Sequence, residues 1–363
     1  MQFTSIQNTT TCTRESFGFL PDGREVHEYT LTNAGGISIG ILNYGGILRS
    51  IMTPNQAGVY SDILLGYDDL EGYLNDVSYM GAVIGRYANR IKGAALEIDG
   101  VKYDLSQNEG SSCHHGGKSG FNRALWDATI ISTGVNPCLQ LERTSEDGEG
   151  GFPGELKVRI TYTLNDQNEL TLEFQATTDK KTVISLTTHP YFNLSDNQIK
   201  TIDGHLLELN ATEYLPIDSS MIPTGELRAV QGSPFDFLTP NQIGSRMGNG
   251  NKQLSLAGGY DHCYVINQSQ NEFKPVAKLC ELESGRSLTI SSNSPGLQLY
   301  SSNYLSENVF GKGSKAFNKR MGVCLEPQHF PNAPNESSFP SSVISPDIEY
   351  HHKMVLKFGL IDG

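Results

Sequence analysis

The chain has 363 residues, enough to bury a large core, and its 37% hydrophobic and 18% charged residues are the composition of a folded globular protein rather than a disordered one. A formal net charge of -13 repels phosphate backbones and anionic lipid, which argues against nucleic acid and membrane surfaces as partners and favours an uncharged small molecule. No stretch approaches the ~18 apolar residues of a membrane span, and the N-terminal segment lacks a basic region followed by an apolar run, so a cytoplasmic location is expected.

In chain order, "EYTLTNAGGISIGILNYGG" alternates apolar and polar residues on either side of Asn33 to Gly36, which predicts a hairpin. The stretch "YDDLEGYLND" (67 to 76) is expected to form a short helix or turn. "LEIDGVKYDL" reads as a second hairpin closed by the tight turn Asp99-Gly100, and "CLQLER" as a strand. Leu156, Val158, Ile160, Tyr162 and Leu164 then alternate with polar residues, Asn165 to Asn168 supply a turn, and Leu170, Leu172 and Phe174 resume the pattern. "GLQLYSS" and "MVLKFGL" add further strands. Strands along the whole length without alternating helices predict an all-β, antiparallel sandwich or barrel, and no linker or repeat divides it, so one domain over residues 1–363 is expected.

The six cysteines show no CxxC spacing and read as reduced, mostly buried thiols. Gly117-Lys118-Ser119 ends like a phosphate-binding loop, but that motif needs a glycine where Ser112 stands. His114-His115 and His351-His352 are adjacent pairs, and strand neighbours point to opposite faces, so no metal site is expected.

Polar groups sit where apolar strand residues would be simpler: Asn89 and Arg90 in "GRYANRI", His115 before Gly116-Gly117, His189 in "THPYFNLS", Asp261 in "GYDH", and Glu326 in "GVCLEPQHFPN". Each has an ordinary structural reading, as a core hydrogen-bonder or half of an ion pair. A buried carboxylate nevertheless demands a partner or a proton, because burying it alone costs several kcal/mol. Together an imidazole and a carboxyl raised by burial could be poised near neutrality, an acid–base pair suited to proton transfer on a carbohydrate.

At these residues the sequence resembles the aldose 1-epimerase family. The motifs "NYGGILRSI", "DILLGYDDLEGY", "GRYANRI", "HHGGKSGFNRALWDA", "THPYFNLS", "GYDHCYV", "LQLYSSN" and "CLEPQHFPNAPN" occur in the family's order. The resemblance implies a large β-sandwich enclosing a sugar cleft, a monomer or homodimer that needs no cofactor. It also implies interconversion of the α and β anomers of free hexoses such as galactose and glucose. It places the base at Glu326, the acid at His189, and substrate contacts at Asn89, Arg90, His115, Asp261 and Gln298. Two departures stand out, His114 where many relatives carry an apolar residue and Asn332 where aspartate is common, and both are expected to bear on substrate preference. A non-catalytic sugar-binding or sensory protein, and an epimerase of hexose 6-phosphates, remain open alternatives.

Overall fold

The computed structural model describes residues 10–361 apart from 197, 199, 249 and 267–271. Its largest sheet has nine strands in the order Asp127–Ser132, Cys138–Ser145, Leu156–Leu164, Glu169–Thr178, Tyr350–Leu360, Arg286–Ser292, Lys274–Cys280, Leu206–Leu209 and Asn241–Gln242, each antiparallel to its neighbours. The alternation read from the sequence is the alternation of burial: Leu156, Val158, Ile160, Tyr162 and Leu164 are buried while Lys157 and Arg159 are exposed. Each such aliphatic side chain removed from water contributes roughly 1.5–3 kcal/mol, which drives the inner face of the sheet against its partners.

A five-stranded antiparallel sheet comprises Thr11–Phe19, Glu25–Thr32, Ser38–Leu42, Leu48–Pro54 and Tyr60–Asp62, in sequence order. A second five-stranded sheet runs Arg228–Ala229, Glu213–Tyr214, Asp261–Val265, Gly296–Tyr300 and Cys324–Gln328. From it, Tyr264, Leu297, Leu299 and Leu325 enter the same apolar cluster as Ile160, Tyr162 and Leu356 of the large sheet. Of the sandwich or barrel expected from the strand pattern, the chain forms the antiparallel β-sandwich.

The expected turns are in place. Asp99 and Gly100 both adopt positive φ, 52° and 78°, the backbone of a tight two-residue hairpin turn. The helix expected within residues 67 to 76 is Leu70–Leu74, whose first turn is capped by Asp69 accepting from Gly72 N. A second short helix, Lys252–Ala257, was not expected; with six residues it shows no helical period, and only its caps, Asn251 and the left-handed Gly258, mark it. All six cysteines are unpaired and five are buried. Among the described residues no helix is long and apolar enough to cross a membrane.

Candidate active site

The site begins with the pleat of three neighbouring strands. Gln298 lies opposite Glu326 on one side and opposite Cys263 on the other, and Asp261 lies opposite Tyr300. Because side chains alternate, Asp261, Gln298, Tyr300, Cys324 and Glu326 share the face turned away from Leu297, Leu299 and Leu325. Gln298 Nε2 donates to Asp261 Oδ1 at 2.6 Å, which fixes both side chains across the strand boundary. Buried on both faces, these strands read as nearly continuous apolar runs, and the polar residues in them mark the second face.

A second group comes from the loops that cover this face. Arg90–Ile91 pairs with Cys113–His114. Next to that ladder, Asn89 N donates to His115 Nδ1 at 3.2 Å, and His115 N donates to Asn89 O at 3.1 Å. Since His115 Nδ1 accepts, its neutral ring carries the proton on Nε2 and presents a donor there. The turn after His115 requires glycine: Gly116 has φ of 84°, and a Cβ there would stand 2.0 Å from Gly85 O.

Thr187–Thr188 pairs with Val83–Ile84 and brings in His189, whose backbone donates to Ala82 O and accepts from Gly81 N, each at 2.9 Å. Its ring stacks on Tyr191 with centroids 5.0 Å apart and stands near-perpendicular to Tyr300. His189 Nε2 lies 3.7 Å from Glu326 Oε1. Glu326 is 2% exposed, and its Oε2 has no hydrogen-bond partner.

These groups enclose a cavity of about 340 Å³ lined by all seven residues that the sequence singled out, Asn89, Arg90, His115, His189, Asp261, Gln298 and Glu326. Its volume lies at the small end of the range for small-molecule pockets. Burial pushes the Glu326 carboxyl well above the ordinary range, and the nearby Asp261 charge adds to this. The same burial pushes His189 down to about 4. Burial thus favours the uncharged form of each group, the imidazole over the imidazolium and the carboxylic acid over the carboxylate. This differs from an imidazole poised near neutrality, because desolvation outweighs the ordinary histidine value.

Arg90 is both a cavity residue and half of an ion pair. Its Nε and Nη2 donate to the two Glu109 oxygens at 2.7 and 2.8 Å, and its Nη1 lies 3.9 Å from Asp261. Sequence reasoning missed Glu109, which sits in a turn without periodicity; it also missed Tyr79, Tyr191, Tyr300 and Tyr304, which line the walls. Tyr191, two residues beyond His189 in "THPYFNLS", and Tyr300, two beyond Gln298 in "LQLYSSN", were legible from their motifs.

One expectation needs correction. His114 and His115 do not point to opposite faces: their ring centroids are 3.8 Å apart and both line the cavity. His115 has φ of 52°, so the backbone leaves the extended conformation there and the alternation rule fails. Asn332 does not line the cavity; its Oδ1 accepts from Lys92 N at 2.9 Å and its own N donates to Arg90 O at 2.8 Å, so it positions the Arg90 segment.

Residues 27–357 match the sequence profile of the family described as aldose 1-epimerase. The chain is 37% identical to the galactose mutarotase of Homo sapiens over 348 residues, covering 96% of this chain and 98% of that one. It is 32% identical to the aldose 1-epimerase of Escherichia coli K12, covering 90% and 92%. Among solved structures, an aldose epimerase homologue from C. elegans superposes with a TM-score of 0.84 at 28% identity, over 96% of this chain and 100% of that one. Galactose 1-epimerase from Lactobacillus acidophilus has the same fold, with a TM-score of 0.85. With these likenesses spanning nearly its whole length, the chain belongs to the aldose 1-epimerase family.

Proposed function

We propose that this enzyme interconverts the anomers of free hexoses such as galactose and glucose, with Glu326 as base and His189 as acid. The observation that carries this reading is the 3.7 Å separation of His189 Nε2 and Glu326 Oε1 at one wall of a hexose-sized cavity. The C1 hydroxyl and the ring oxygen of a pyranose are bonded to the same carbon, so one pair of neighbouring groups can serve both.

Glu326 takes the proton of the C1 hydroxyl while His189 gives one to the ring oxygen; the C1–O5 bond breaks and C1 becomes an aldehyde. Rotation about C1–C2 offers the other carbonyl face, and the reverse transfers close the opposite anomer. Both groups return to their starting states, so the cycle is balanced. Starting from the buried neutral pair, a proton first moves from Glu326 to His189. Mutual attraction at 3.7 Å and hydrogen bonds from sugar hydroxyls to Glu326 offset the burial of the two charges. The Nε2 donor of His115 and the positive charge of Arg90 stabilise charge developing on the sugar oxygens, and Asp261 and Gln298 hold hydroxyls.

Cavity charge supports uncharged hexoses over hexose 6-phosphates. Among the lining residues Arg90 is the only Lys or Arg, and Glu109 already engages it while Asp261 lies nearby. Retention of both His189 and Glu326 supports an enzyme over a binding protein.

Polarimetry on freshly dissolved α-D-galactose and α-D-glucose tests the reading. The enzyme accelerates mutarotation above the spontaneous rate, and Glu326→Gln and His189→Asn each lower kcat by about 10²-fold or more with the fold intact. Near-normal turnover in either variant removes the role assigned to that residue.

A further inference from the structure

Cys324 has no part in the chemistry proposed above, yet it lies two residues before Glu326 and so on the same face of the strand. One ligand atom from each of His189, Cys324 and Glu326 lies within 4.8 Å of the other two, the only such group of three potential metal ligands among the described residues. All three side chains are buried, and Glu326 Oε2 lacks a partner.

Bond lengths of about 2.0–2.3 Å from zinc to nitrogen, oxygen and sulfur put tetrahedral ligands roughly 3.3–3.7 Å apart. The His189–Glu326 pair, at 3.7 Å, already has that spacing. The Cys324 sulfur, within 4.8 Å of the other two ligand atoms, needs to close by about 1 Å to complete the set. One imidazole, one thiolate and one carboxylate are three protein ligands of the kind zinc takes in open sites, with the fourth position left towards the cavity. Charge also balances: a divalent cation with one thiolate and one carboxylate sums to zero, the favourable total for a buried site.

We propose that His189, Cys324 and Glu326 form a latent site for a thiophilic divalent cation, Zn²⁺ or Cd²⁺, whose occupation blocks the sugar site. Binding replaces the S–H bond of Cys324 with a metal–sulfur bond and releases that proton, with any proton on Glu326, to solvent. Because binding releases protons, the exchange favours the metal more strongly as pH rises. Mg²⁺ and Ca²⁺, which require oxygen ligands, are not accepted. That occupation stops turnover rests on the proposed roles of His189 and Glu326; that the metal binds does not.

The test titrates chelator-treated full-length enzyme with Cd²⁺, following the ultraviolet charge-transfer absorption of a cadmium–thiolate bond and the polarimetric rate on α-D-glucose. The expected result is one equivalent of absorbing Cd²⁺ and inhibition competitive with sugar, reversed by chelator. Cys324→Ala and Cys324→Ser, two variants in case one misfolds, lose the absorption and raise the half-inhibiting concentration about tenfold or more. Absorption that persists in both variants, or never appears, overturns the site. Absorption that behaves as expected while turnover continues keeps the metal site and overturns the roles given to His189 and Glu326.

Discussion

Three of the non-glycine residues that line the cavity, Tyr79, Asn89 and His115, have positive φ, at 57°, 64° and 52°. Asparagine tolerates that region, but tyrosine and histidine do not favour it, and such strain persists where surrounding contacts hold it. Here the contacts are visible: His115 is locked to Asn89, and the Tyr79 ring packs on His115 with centroids 4.6 Å apart. Arg90 is held in a different way, by a carboxylate. Replacing Glu109 with glutamine removes the charge that draws Arg90 away from Asp261, leaving Asp261 as the nearest anion and less free to accept a sugar hydroxyl. Glu109 is 43% exposed at its side chain, so the effect is modest. Glu109→Gln is expected to raise KM roughly three- to tenfold with little change in kcat, the signature of lost uniform binding. Steady-state polarimetry checks this, and a fall in kcat at constant KM would show that Glu109 acts in the chemistry instead.

Period two explains both what the sequence revealed at the level of elements and what it hid. Hairpins such as Leu156–Leu164 with Glu169–Thr178 have one wetter face, so their registers were legible. The strands Asp261–Val265, Gly296–Tyr300 and Cys324–Gln328 are buried at every position, so alternation vanished and Glu326 looked like an intrusion into an apolar run. Its face is set by the same pleat, and moving the carboxylate to position 325 would aim it into the apolar cluster. The positions of His189 and His115 relative to Glu326 were not legible from spacing, because they depend on loops that meet only in the folded chain; ordered family motifs supplied that link. One such loop makes a sharp prediction. Gly116→Ala adds a Cβ against the Gly85 carbonyl at a positive φ, so the His115 turn must shift or the chain must lose stability. A loss of about 1–3 kcal/mol in denaturant unfolding, together with lower kcat/KM, is expected. Unchanged stability and activity would mean the turn is not rigid.

The apolar cluster that backs the site draws residues from Cys12 to Phe358, so strands distant in sequence share one interior. We propose that the chain unfolds as one domain, and its histidines dictate how pH acts on that transition. Burial holds His189, His205 and His329 down to about 4, and His262 and His352 down to about 3. In the unfolded chain each returns to about 6.5. Below that value the unfolded state binds protons that the folded state refuses, so stability falls on acidification. Each histidine costs up to about 1.4 kcal/mol per pH unit between the two values. Asp76, Asp261 and Glu326 work the other way: burial raises their folded values, so their contributions are present at low pH and are lost as pH rises above the unfolded carboxyl values of about 4. His114 and His115 are likewise held well below the ordinary value by burial, and three carboxyls set against seven imidazoles leave acid lability as the net result. Urea unfolding followed by two probes is expected to give one coincident transition whose midpoint drops from pH 6.5 to pH 5, because the histidines outnumber the carboxyls that oppose them. A midpoint flat across that interval would mean these histidines keep their protonation state on unfolding, and non-coincident probes would break the single-domain reading.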